Sequence, residues 1–93
     1  MSYADEQSYE EMISALQNFK NQVEEQCNVM EKAGKDCIDN TDGDPAAEKS
    51  NAKLSECVGK IRATFEIVDY IISALQEEIE DIRAAAAAAD QID

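Results

Sequence analysis

The chain has 93 residues and a formal charge of −13, with eight Lys and Arg against 21 Asp and Glu, and neither His nor Trp. That length fits one small domain, residues 1–93, with little room for a catalytic cleft of its own. The charge argues against nucleic acid and against anionic membrane surfaces, both of which need basic faces, and the lack of His removes most hydrolytic triads and imidazole metal sites. Apolar residues still make up 44% of the chain, and their regular spacing argues against disorder. Gly and Pro together number four, all but Gly59 within residues 34–45. So few breakers elsewhere point to helix.

The first element is a helix predicted over about residues 5–34. Tyr9, Met12, Leu16, Phe19, Val23, Cys27 and Met30 recur at gaps of three and four, the mark of a helix that buries one stripe. Ile13 and Ala15 widen that stripe. Ser8 and Glu11 have capping-box spacing, and Ser2 and Asp5 are earlier candidate caps. Gly34 is the expected C-terminal stop, with Lys32 and Lys35 placed to suit the negative end of the helix dipole.

Residues 35–44 form the predicted turn. Asp44 before Pro45 is a strong start signal. Asp caps free amides, and Pro loses nothing at the first helical position, where its missing N–H would have no partner.

The second helix is predicted over residues 45–90. Leu54, Val58, Ile61, Phe65, Val68, Ile72, Leu75, Ile79, Ile82, Ala86 and Ala89 alternate gaps of four and three throughout. Gly59 lies inside this run, either tolerated at up to ~1 kcal/mol relative to Ala or marking the close approach of another helix. Two amphipathic helices joined by one turn make an all-α antiparallel hairpin. A hairpin of this size has no enclosed core and is marginal alone, so pairing with another hairpin into a four-helix bundle is expected. Ile67, Tyr70, Ile71 and Ala74 form a second apolar strip beside the main stripe. It either broadens the seam or contacts a partner, and partner contact is the reading adopted.

The order short helix, turn, long helix, in an acidic chain, resembles the Trp-X-Gly (WXG, Esx-type) family of small helical hairpins. The turn carries the local likeness in Thr41-Asp42-Gly43-Asp44-Pro45-Ala46-Ala47-Glu48. Gly43 and the Ala pair match the family's pattern, while Thr41 stands where the Trp would be. The end of the chain, six alanines followed by Asp90-Gln91-Ile92-Asp93, resembles the Ala-rich, acidic ends of such proteins. The resemblance implies a substrate or co-secreted partner of a type VII secretion system, exported without a signal peptide. It implies pairing as a homodimer or heterodimer with another hairpin, or with the helical N-terminal domain of a secreted toxin, and handling by a secretion ATPase. The N-terminus has neither a basic n-region nor an apolar h-region, which argues against a cleaved general-secretory signal. Phe65-Glu66-Ile67-Val68-Asp69 resembles the Phe-X-X-X-Asp of helical partners that escort LXG-type toxins. On this likeness Phe65 and Asp69 are candidate targeting residues, on one helix face at four-residue spacing. Phe65 is equally a stripe residue, and core packing is the simpler reading.

Other chemistry is set aside. The acidic turn cannot be an EF-hand, because with Gly43 at the sixth position the loop would begin at Ile38 and end at Lys49. Cys27, Cys37 and Cys57 match no CxxC pattern. A disulfide between Cys27 and Cys57 would need Cα atoms within ~7 Å, and buried small hydrophobes are the simpler reading. Glu77, Glu78, Glu80 and Asp81 read as a solvated helix surface. No cofactor, no metal and no catalysis are expected. The alternative to a secretion role is an intracellular coiled-coil adaptor or a phage-encoded regulator, cytoplasmic and with the same hairpin. The longest unbroken apolar run, residues 84–89, is far too short to span a bilayer.

Overall fold

The computed structural model of the chain describes residues 3–91, with side chains from Asp5 onward. It is an all-helical hairpin: α1 (Tyr3–Asn40), then α2 (Pro45–Ala63) and α3 (Phe65–Asp90) running back. No described residue lies in a strand. None of these helices is long and apolar enough to cross a membrane.

Helix α1 is longer than predicted at both ends. Ser8 and Glu11 lie inside it, so they form no capping box; Glu11 instead accepts from Nε2 of Gln7 at 3.4 Å. Ser2 lies outside the described residues. Gly34 does not stop the helix, which continues to Asn40. Lys32 spans one turn to Asp36 at 3.0 Å across that stretch, and Ile38 carries the half-buried stripe one turn further. At ~1.5 Å per residue α1 is ~57 Å long.

The helix ends at residues 41–44, a shorter turn than the predicted 35–44. The N–H of Gly43 donates to the carbonyl of Ile38 at 2.9 Å, and that of Asp42 to Asp39 at 3.3 Å. This six-to-one and five-to-two pair is a Schellman closure, with Asp42 at φ 55 and Gly43 at φ 75. Asp tolerates the left-handed region better than most side chains, and Gly enters it freely. Asp44 then caps α2, accepting from the N–H of Ala46 at 3.3 Å, with Pro45 opening the helix.

The predicted continuous helix over residues 45–90 is interrupted at one residue. The N–H and the hydroxyl of Thr64 both donate to the carbonyl of Ile61, at 3.1 and 2.6 Å. The ladder there tightens to an i−3 turn, while Thr64 itself keeps right-handed helical angles, φ −69 and ψ −18. A Thr hydroxyl bonded back along its own helix competes with the regular ladder.

The contacts group into two compact units. One joins α1 through Phe19 with α3 from Ile67 onward. Its core is Ile13, Val68, Ile72 and Ile79, with Tyr9, Leu16 and Leu75 packed around them. The other is Lys20–Glu66. Cys27, Ala47, Val58 and Phe65 are buried there, Cys27 and Val58 almost completely, and the Lys20 ammonium sits 5.8 Å from the centre of the Phe65 ring. A Cβ on Gly34 would collide with the Asn51 side chain and come within 3.0 Å of Leu54 Cδ2. Gly34 is therefore a point of close helix approach, whereas a Cβ on Gly59 would meet nothing within 4 Å. Within this chain no helix approaches Gly59 closely.

Candidate partner-binding surface

The buried stripe of α1 departs from the predicted one at two positions. Ile13 is in the core, while Met12 and Phe19, expected inside, are 50% and 52% exposed. The 3.6-residue period explains the ambiguity. Positions 9, 13, 16, 20, 23 and 27 have the same three-and-four gaps as 9, 12, 16, 19, 23 and 27. Packing selected the first set and left Met12 and Phe19 on its flank.

Helix α3 behaves as the spacing predicts as far as Ile82, whereas Ala86 and Ala89, the end of the predicted stripe, are exposed. Phe65, Val68, Ile72, Ile79 and Ile82 are buried. Beside them Ile67 is 64% exposed, Tyr70 76% and Ile71 39%, and Ala74 is exposed as well. Together these four leave an apolar strip of α3 open to solvent.

The opposite flank is polar and occupied. Within the first unit, Arg83 on α3 donates from Nε to Glu6 at 2.5 Å and from Nη2 to Glu10 at 3.1 Å. The second unit has a parallel arrangement. Arg62 on α2 donates from Nε to both carboxylate oxygens of Glu24 at 3.1 Å and from Nη2 to Asn28 at 3.0 Å. It also reaches Glu31 at 2.5 Å. The hydrogen bond from Arg62 holds the Glu31 carboxyl below the usual carboxylate value; partial burial opposes this and the guanidinium charge adds to it. Glu31 and Glu24 in turn push Arg62 up, so it stays charged at every accessible pH.

The sequence-predicted turn residues serve the backbone. The Thr41 hydroxyl donates to the carbonyl of Cys37 at 2.8 Å, so the residue at the place of the family's Trp closes a helix. Phe65 is buried, 8% exposed, beneath Lys20, while Asp69 is exposed. The core role of Phe65 is realised, and no exposed Phe accompanies Asp69.

All six alanines at residues 84–89 are exposed. With Glu78, Asp81 and Ile82, three of them (Ala85, Ala86 and Ala89) line an open groove of about 340 Å³. Cys37 and Cys57 are exposed free thiols and Cys27 a buried one, so no disulfide joins Cys27 to Cys57. Of the three, only Cys27 acts as a small buried hydrophobe. Among the described residues, no three Cys, Asp or Glu side chains come together in a way that could hold a metal ion. Compared with protein-family models, curated proteins and solved structures, the chain matches none of the three.

Proposed function

We propose that this chain is a non-enzymatic helical hairpin of a type VII (Esx-like) secretion system. It acts as a secreted substrate or as a co-secreted partner and targeting factor, through helix packing. In this reading it docks against a second hairpin, or against the helical N-terminal domain of a secreted toxin, to complete a four-helix bundle. The observation that carries the reading is the exposed apolar strip at Ile67, Tyr70 and Ile71 on a hairpin whose other flank is closed by ion pairs. The left-handed Asp42-Gly43 turn and the Ala-rich end fit the same family pattern.

The test is export. The chain is followed in culture fluid and in cells, with and without the ATPase of the secretion system. ATPase-dependent appearance outside intact cells supports the proposal, and equal retention in both strains overturns it.

A second reading, an intracellular coiled-coil adaptor, gains from one observation. Phe65 is buried, so a receptor that reads Phe-X-X-X-Asp would have to open the hairpin first. Replacing Asp69 with Asn separates the two readings, because it lowers export if the motif is read and leaves location unchanged if the chain is an adaptor.

A further inference from the structure

We propose that the strip formed by Met12, Phe19, Ile67 and Ile71 seats a helix of a different protein, one whose apolar stripe is bordered by Lys or Arg. It does not seat a second copy of this chain. This rests on the helix-packing reading above and names the chemistry of the partner.

The first argument is that the four residues share one side of their unit. At ~100° per residue, Met12 and Phe19 lie ~80° to one side of the buried line through Tyr9, Ile13 and Leu16, with Glu6 and Glu10 on the other side. On α3, Ile67 and Ile71 lie ~80–120° to one side of the Val68, Ile72 and Ile79 line, with Arg83 on the other. Arg83 bonds Glu6 and Glu10, so those two flanks face the same way. Because the helices are antiparallel, their remaining flanks also coincide, and these carry Met12, Phe19, Ile67 and Ile71. The groove lined by Glu78, Asp81 and the alanines belongs to the same unit and continues along α3.

The second argument is charge. Residues 1–19 and 67–93 contain eleven acidic side chains and one basic one, Arg83, a formal −10 of the chain's −13. That one cation is already bonded to Glu6 and Glu10 on the opposite flank. A second copy docked strip to strip would set another −10 against it, with its one cation in that unit, Arg83, turned to the opposite flank. Like charges set face to face reject a partner, and opposite ones select it and speed its arrival. Glu78 and Asp81 border the groove where such cations would land.

The test uses the whole chain and two synthetic amphipathic helices of equal length. Both have Leu at the a and d positions of each heptad; one has Lys at e and g, the other Glu. Sedimentation equilibrium of the chain alone is expected to show a monomer. Titration calorimetry is expected to show binding of the Lys helix, weakening as salt rises, and none of the Glu helix. Phe19→Ser with Ile67→Ser, both more than half exposed, should loosen the Lys helix about tenfold or more. Val29→Ser, equally exposed but in the other unit, should not. A chain that dimerises alone and loses the dimer in the double variant overturns the proposal in favour of a second copy. Equal binding of the Glu helix overturns it, and so does a Lys helix held undiminished by the double variant. Export is read separately, so retention inside cells would sink the secretion role without touching this result.

Discussion

Arg83 donates from Nη2 to Oε1 of Glu10 at 3.1 Å, joining positions 73 residues apart. The contact ties α3 to the start of α1 on the flank opposite the exposed strip. Arg83 is largely exposed, and exposed ion pairs contribute ~0–1 kcal/mol. Arg83→Gln should therefore lower the urea-unfolding free energy by under about 1 kcal/mol, with the difference from the parent chain shrinking in high salt. A loss of several kcal/mol would mean that the pair, and not the apolar seam, holds this unit together.

The two glycines inside helices should respond differently to alanine. Gly59 faces open space, so Gly59→Ala should gain up to ~1 kcal/mol from helix propensity. Gly34 faces Asn51 and Leu54. Its alanine variant gains the same propensity but must displace both side chains, and should fall short of the Gly59 variant. Gly34→Leu should lose ~1–3 kcal/mol through overpacking. Thermal or urea melts of the three variants check the order.

The thiols should divide two against one. Cys37 and Cys57 are exposed and Cys27 is buried. A thiol reagent under native conditions should modify two sites quickly and reach the third only as the chain opens. Cys27→Ser would put a more polar group into an almost fully buried site, at a cost of ~1–3 kcal/mol. Three equally fast thiols would show that the Lys20–Glu66 unit is open in solution.

Acid should weaken that unit at Glu31. Its pKa is lowered by the Arg62 hydrogen bond from an ordinary value of about 4.5. A carboxyl depressed on folding stabilises the fold above its unfolded pKa, and that contribution is lost as pH falls through the folded value. The contribution is therefore complete at neutral pH and begins to fade near 4.5, to be gone only below the depressed folded value. An NMR titration should place the Glu31 midpoint below 4.5, and Arg62→Gln should return it upward. A midpoint at or above the ordinary value in the parent chain would show that the pair does not persist in solution.

The amino-acid order by itself determined that this is an all-helical hairpin, that α2 starts at Asp44 and Pro45, and that Phe65, Val68, Ile72, Ile79 and Ile82 face inward. Those features follow from capping chemistry and a single unambiguous stripe. Tertiary contact decided what local signals left balanced. Gly34 reads as a stop because Gly favours helix ends, yet it faces Asn51 and Leu54 of α2 at close range, where a side chain has no room. Thr64 looks like an ordinary helix position until its hydroxyl is seen bonded to Ile61. The sharpest case is α1, where Met12 and Ile13 both suit the same 3.6-residue period. Only the presence of α3 chooses between them, burying Ile13 and turning Met12 and Phe19 to water. A helix's period records that it has an inner face, but which side chains occupy that face is fixed by the surface packed against it.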